Sequence, residues 1–486
     1  MNVVVISLMM SFAAIAAFMC ALATVGGIQV ARKFSDGILH YVFYALFLST
    51  AVATAGWNRD YSSQAMTFVA NAGLGGGLAG WGIRLTSVIA VLGCIDQLLR
   101  YWRSQPRVSG PQAALLVSFL FFWLTNTVIP ANFAAHPGPF QLPWLYTLLL
   151  TPALLTLSEE SVRKVLQSCR NAIVLFCAAG MAVIVVKPSM VLDYSYNLGF
   201  IPGMPRFTGF ASHPVGMGLF ASTAIWCLMA EPLTKKWLNR LAMACCLAAL
   251  CLSQAKAAVF SFLPGVIILA YYRLRPGEGK NRRLGDFNVL YGLLFICIGT
   301  SLLGLLFYAL FGNGLNSLAD LLQPGNGAPV FTLTGRDKIW AIALQEWRAS
   351  PVFGYGLEIF GDEYGVSIHM LNATSGHSQF YDALGRSGLV GTAGAMIYFA
   401  VLAGLGIKYA RASHGLSLAL AMSLVLRAVT EVSLGIRGID IIDVSQYLLI
   451  AVLAGSIQKT RRLQRDRIDS TAAFSANPKS QTGVNK

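Results

Sequence analysis

The sequence predicts an all-α polytopic membrane protein with about 12–13 transmembrane helices. Three observations carry that expectation. Of 486 residues, 56% are hydrophobic and only 12% charged. Apolar runs of about eighteen or more residues recur along the chain, which is the length needed to cross a bilayer as a helix. The runs are continuous rather than alternating, which fits helices and not a lipid-facing barrel.

In chain order the candidate spans cover 3–28, 38–57, 80–99, 111–130, 142–157, 171–186, 211–229, 238–252, 255–272, 287–311, 387–407, 416–434 and 444–457. The first 28 residues carry no Lys or Arg, so they read as an uncleaved span rather than a signal peptide with a basic head. An odd number of spans puts the N-terminus outside and an even number inside. No internal repeat is visible, which counts against a transporter built from repeated halves.

The formal net charge of +15 raises the question of nucleic acid. Its location answers it. KFSDG with Arg32, RYWRSQPR, EESVRKVLQSCR, EPLTKKWLNR, RLRPGEGKNRR, KYAR and KTRRLQRDR all fall on one side of the spans. Together they hold about 23 of the 36 Lys and Arg, the pattern that marks cytoplasmic loops. No nucleic-acid partner is expected. The chain then divides into a transmembrane bundle over 1–311, a long extracytoplasmic loop over 312–386, a continuation of the bundle over 387–457 and a cytoplasmic tail over 458–486. Residues 469–486 are polar and predict disorder. The nine cysteines sit in apolar runs or short basic loops and show neither zinc-ligand spacing nor a disulfide framework.

Within the outer loop, Thr334 and Asp337 resemble a capping box. Trp340, Ala343, Leu344 and Trp347 then repeat at helical spacing until Pro351, which predicts an amphipathic helix at the membrane surface. Arg336 lies four residues before Trp340, on or beside the aromatic stripe, where it either snorkels to headgroups or binds a ligand. In PVFGYGLEIF, the closely spaced Gly354 and Gly356 imply a tight turn that brings backbone near another element or a ligand. His377 precedes Phe380, Tyr381 and Leu384 at i+3, i+4 and i+7, so it reads as sharing the packed face of a short helix. On spacing alone it is either a packing residue or a catalytic one.

Two further outer turns carry cations. PRFTGFASHPVG places Arg206 and His213 just before a span, and SQAKAAVF places Lys256 where two short apolar runs meet. Cations and imidazoles without metal-binding carboxylates suit a diphosphate attached to a membrane lipid, because arginine forks pair with phosphate oxygens and lysine adds a point charge. No D-x-D motif or His/Cys cluster is present, so positive charge has to come from side chains.

At RFTGFASHPVG, SQAKAAVF, TGRDKIWAIALQEWRASPVFGYGLEIF and GHSQFYDALGRSGLVG, in that order over 206–391, the sequence resembles the O-antigen ligase and O-antigen polymerase superfamily, most closely its exopolysaccharide-polymerase branch. Ser378 departs from the asparagine the family usually has after the histidine. The resemblance implies a GT-C-like glycosyltransferase in the bacterial inner membrane, with its active face periplasmic, no metal and no other cofactor. Its donor is an undecaprenyl-diphosphate-linked oligosaccharide, and its partners are membrane lipid and the chain-length regulator and flippase of the same pathway.

Carried over, the resemblance makes Arg206, Arg336 and Lys256 the diphosphate-binding residues, sets Tyr381 and Trp340 beside substrate, and makes His377 the catalytic base of an inverting transfer. Imidazole titrates near pH 6.5, which suits that task. Glu358, Asp362, Glu363 and Asp382 are alternative bases or orienters, the first three reading as solvated loop acids. His213 reads as structural. Arg427 and Glu431, at i and i+4 in the twelfth run, are functional suspects that could also neutralise each other. Three other readings stay open. These are a ligase transferring glycan to lipid A core, a transporter or flippase of lipid-linked oligosaccharide, and a non-enzymatic scaffold.

Overall fold

A computed structural model describes residues 37–56, 59, 77–104, 108–139, 141–194, 204–274, 336–368, 370, 375–436 and 438–476. The expected spans at 3–28 and 287–311, and Thr334 of the capping box, lie outside them. The described chain is helical apart from a two-stranded antiparallel ribbon, β1 (Leu192–Asp193) with β2 (Arg206–Phe207), in which Asp193 pairs with Arg206.

The helices follow the apolar runs. They are α1 (Val42–Gly56), α2 (Gly77–Ser104), α3 (Gly110–Trp123), α4 (Pro143–Leu155), α5 (Glu159–Val186), α6 (Pro214–Ala230), α7 (Lys236–Ser253) and α8 (Lys256–Leu274). Next come α9 (Arg336–Ala349), the short α10 (Asp362–Ser367), α11 (Gln379–Lys408), α12 (Leu416–Ala428) and α13 (Val444–Ala476). Among the described residues, seven helical stretches are long and apolar enough to cross a membrane, and α4, α6 and α12 are shorter apolar helices. The protein is a multi-pass membrane protein.

Caps explain two boundaries that apolar runs alone do not. Ser109 caps α3 in a capping box with Gln112, just after the basic 100–107 loop. Ser158 accepts from the Ser161 N–H and starts α5 at Glu159, so the helix begins well before the expected 171 and its first turns are amphipathic. At the other end of the chain, α13 continues to Ala476, so residues 469–476 are helical where composition predicts disorder.

The bundle is built around α13. In the apolar 18-residue window of its Ile441–Asp466 stretch 89% is buried, against 28–44% in the corresponding windows of the other six long apolar stretches. A helix enclosed on all sides reads as apolar all round, and the others keep a lipid-facing stripe. Elsewhere small residues set close approaches. A Cβ on Gly218 of α6 would lie 2.7 Å from Ser253 Oγ and 2.8 Å from the Ala258 Cβ, so glycine there lets α6 press on the turn between α7 and α8.

The Gly354 and Gly356 turn approaches another element, as its spacing implies. Gly388 (φ 62, ψ −155) breaks α11, and the freed backbone pairs with the 351–356 segment. Leu389 and Val390 N–H groups donate to Pro351 and Val352, while Tyr355 and Gly356 N–H groups donate to Gly385 and Arg386, at 2.8–3.2 Å. Gly354 (φ 74) sits so tightly that a Cβ would lie 2.6 Å from the backbone nitrogens of Ser387 and Gly388. The expected boundary at 386/387 therefore falls within α11, beside its break.

Candidate functional site

The connector after α12 is the first element of the site. A 13-residue helix is about 20 Å long, short of the roughly 30 Å hydrocarbon thickness, so the chain leaves α12 early. Backbone freed inside a membrane bundle needs partners. Buried Gln379 supplies two, its Oε1 accepting from the Ser433 and Leu434 N–H groups at 3.0 and 2.8 Å, and Gln446 accepts from Gly435 N–H at 3.0 Å. The connector is thereby fixed against the start of α11, and it carries Glu431.

Glu431 meets two of the expected site residues. Its Oε1 accepts from Arg336 Nη2 at 2.7 Å, and Oε2 lies 3.6 Å from His377 Nδ1. Arg336 Nη1 donates to the Thr430 carbonyl. Arg336 at the start of α9 is thus turned into the protein, with its side chain 20% exposed, and not out to headgroups as snorkelling predicts.

His377 is not on a helix face. Helix α11 begins at Gln379 with Ser378 as its N-cap, and His377 lies just ahead with φ 44, a left-handed conformation rare for a residue with a Cβ. The expected i+3, i+4 packing with Phe380 and Tyr381 therefore does not form from a shared helix. The turn is held otherwise. Gly376 N–H donates to Asp382 Oδ1 at 2.8 Å, and Trp340 Nε1 donates to the Gly376 carbonyl at 3.0 Å. Trp340 also stacks on Tyr381, with ring centroids 4.8 Å apart and planes at 19°. Ser378 Oγ donates to the Ala428 carbonyl at the end of α12, at 3.3 Å.

Asp382 is occupied on both oxygens, since Oδ2 accepts from buried Arg386 Nε at 2.9 Å while Arg386 Nη1 reaches the Leu357 carbonyl. It holds the turn rather than offering a free base. Of the loop acids, Glu358 accepts from Gln141 at 3.4 Å, and Glu363 lies exposed on α10. The Asp362 side chain lies outside the described set.

Arg206 and Lys256 come together at a neighbouring pair of turns. Arg206 on β2 donates from Nε to the carbonyl of Ser253, the last residue of α7, at 3.2 Å, and Gln254 Nε2 donates to the Met204 carbonyl at 3.1 Å. Lys256 opens α8 immediately after, close enough to Arg206 for their charges to interact. Arg59, which sequence reasoning missed, braces this region. Its guanidinium donates to the Met190 and Ala211 carbonyls at 2.9 and 2.7 Å and to Thr208 Oγ1 at 3.2 Å.

His213 joins the two groups electrostatically and caps α6, its Nδ1 accepting from Val215 N–H at 3.2 Å. Desolvation beside the packed helix ends, reinforced by Arg206, lowers its imidazole to about 4, with Glu431 and Asp193 opposing and His377 adding to the effect. The ring's open outer face limits the desolvation, but the Nδ1 bond independently requires an unprotonated nitrogen. Arg427 and Glu431 do not neutralise each other by side-chain pairing. Helix α12 ends at Ala428, Glu431 N–H donates to the Arg427 carbonyl, and the Glu431 carboxylate turns to Arg336. Arg427 itself is 2% exposed within the bundle. Among the described residues, no group of three or more His, Cys, Asp or Glu side chains comes together as a metal site would require.

Fold and composition define a membrane-embedded helical protein with a charged site at the helix ends. Residues 241–396, about a third of the chain, match the family model described as O-antigen ligase. The matched segment holds Lys256, Arg336, Trp340, His377, Tyr381 and Asp382, whereas Arg206, His213, Arg427 and Glu431 lie outside it. No curated protein matches the chain.

Proposed function

We propose that the protein is a polysaccharide polymerase of GT-C-like fold in the bacterial inner membrane, joining undecaprenyl-diphosphate-linked repeat units at the periplasmic face by inverting glycosyl transfer. The observation that carries the reading is the turn at His377. It presents an imidazole beside Arg336, within the segment that matches the O-antigen ligase family.

In this reading His377 Nε2 takes the proton of the acceptor sugar hydroxyl. The hydroxyl oxygen bonds to the anomeric carbon, and the bond from that carbon to the diphosphate oxygen breaks, its electron pair leaving with the lipid diphosphate. Arg336, Arg206 and Lys256 stabilise that growing negative charge, a task in which one well-placed donor contributes roughly 10²- to 10³-fold. Trp340 and Tyr381 offer a stacked aromatic surface beside the turn. A chain-length regulator and a flippase are the expected pathway partners.

A second reading, transfer of finished glycan to lipid A core, is favoured by the description of the matching family as O-antigen ligase. Purified protein in vesicles, given lipid-linked repeat units alone or with a lipid A core acceptor, separates the two. Polymerase predicts longer lipid-linked chains from repeat units alone, lost in folded His377→Ala. Product that forms only with the core acceptor would establish the ligase, and activity retained by His377→Ala would remove the base assignment.

A further inference from the structure

One carboxylate faces both the cation assigned to the donor and the imidazole assigned to the acceptor. Glu431 Oε1 is taken by Arg336 at 2.7 Å, and Oε2 lies 3.6 Å from His377 Nδ1. That Nδ1 is shielded from solvent and makes no hydrogen bond within 3.5 Å. The carboxylate is itself held in position, because Gln379 anchors the backbone of the same connector and Arg336 also grips the neighbouring Thr430 carbonyl.

We propose that Glu431 is a positioning residue that couples donor binding to the readiness of His377. This rests on the reading of His377 as the base. With Arg336 in place, the negative charge of Glu431 is largely spent on the guanidinium. When the arginine fork turns to a diphosphate, which offers it a bidentate partner, Glu431 loses its ion-paired arginine, buried Arg427 acts on it only through space, and its remaining hydrogen-bonding capacity falls on Nδ1–H. Three consequences follow. The neutral tautomer with its proton on Nδ1 is selected, Nε2 is left free to accept, and the imidazolium that forms as the sugar hydroxyl loses its proton is stabilised. A small movement closes the 3.6 Å gap to hydrogen-bond length. Order is thereby built into the reaction, because the base becomes effective only after the diphosphate has drawn Arg336 away.

The other charged groups around His377 do not supply this link. Asp382 on α11 spends its oxygens on Gly376 and Arg386. His213 at the head of α6 is an acceptor for its own helix, and Arg206 on β2 acts on it with positive charge. Trp340 and Tyr381 stack on each other.

The test is steady-state kinetics of purified Glu431→Gln and Glu431→Asp on lipid-linked repeat units across pH 5–9, with His377→Ala alongside and folding checked by size exclusion. Glu431→Gln is expected to lower kcat by roughly 10²-fold with donor KM unchanged or lower, since Arg336 is released. The acidic limb of its pH–rate profile moves to lower pH, and Glu431→Asp recovers part of kcat and the original limb. Loss of kcat with an unmoved limb in Glu431→Gln, or a rise in donor KM as the main effect, overturns the coupling and leaves Glu431 a brace for the connector. If Glu431→Gln fails to fold, Glu431→Ala takes its place, and a limb that stays at the parent pH overturns the coupling. An active His377→Ala protein would instead sink the underlying assignment of the base.

Discussion

Asn126 Nδ2 donates to the Gly391 carbonyl at 2.9 Å, tying the π turn that follows α3 (Leu124–Val128) to α11 just past its break at Gly388. Both helices are irregular close to this contact. Asn126→Ala leaves that carbonyl without its side-chain donor and is expected to cost about 1–3 kcal/mol, read as a lower unfolding temperature in detergent. An unchanged transition would mean that the two irregular turns are not energetically linked.

The Gly354 contact offers a sharper comparison. Its Cβ would meet two backbone nitrogens at 2.6 Å, and its positive φ disfavours any side chain, whereas a Cβ on Gly404 meets nothing within 4 Å. Gly354→Ala should therefore sharply lower the yield of folded protein, and Gly404→Ala in the same helical bundle should not. Equal yields by fluorescence-detected size exclusion would show that the 351–356 pairing is dispensable.

Arg336 separates charge from shape. Lysine keeps the charge but loses the planar fork, so Arg336→Lys should retain part of the activity. Arg336→Ala should cut donor use about 10- to 100-fold per folded molecule, the worth of one charge-assisted hydrogen bond of roughly 1.5–3 kcal/mol. Near-normal polymer from Arg336→Ala would move the diphosphate assignment to Arg206 and Lys256.

The His213 imidazole, lowered to about 4, makes stability depend on pH in a definite direction. An unfolded histidine takes its proton near 6.5, so the contribution of the neutral cap is fully present above that value. It is lost progressively as pH falls through 6.5 toward 4. Asparagine also caps helices but does not titrate, so His213→Asn should flatten the fall in unfolding temperature between pH 7 and pH 4. A slope equal to that of the parent protein would show that the cap does not titrate in this range.

Chelation is a separate check on the use of side-chain cations. Repeat-unit joining is expected to survive excess EDTA. Activity lost on chelation and restored by Mg²⁺ or Mn²⁺ would contradict a diphosphate held by Arg336, Arg206 and Lys256 alone.

Much of this was readable from residues. Continuous apolar runs gave the helices, because a bilayer leaves few alternatives, and the two glycines of the 354–356 turn announced a close backbone approach. Helix starts at Glu159 and Gln379 were less legible, since a capping serine or a left-handed residue decides them by local hydrogen bonding rather than by apolar period. His377 shows the cost of periodicity without caps, as its i+4 spacing to Tyr381 suggested a shared helix that begins only after it. Glu431 was visible as an intramembrane charge, with mutual neutralisation by Arg427 as one of two readings, but its ion pair with Arg336 was not legible. The i+4 rule assumed that α12 continues, and nothing local to Arg427 reveals that it stops at Ala428. Arg59 carried no pattern at all, because its partners are carbonyls more than a hundred residues away.

The enclosure of α13 has a consequence for biosynthesis. The helix against which α3, α4, α5, α11 and α12 pack is the last of the described helices to leave the ribosome, so those five enter the bilayer with the face they will later give to α13 still turned to lipid. Gln446, which pairs with Gly435, arrives only with that helix. The connector bearing Glu431 is therefore among the last parts of the molecule to acquire its shape. A nascent chain stalled before residue 441 would carry His377 and Arg336 without the support that fixes their shared partner.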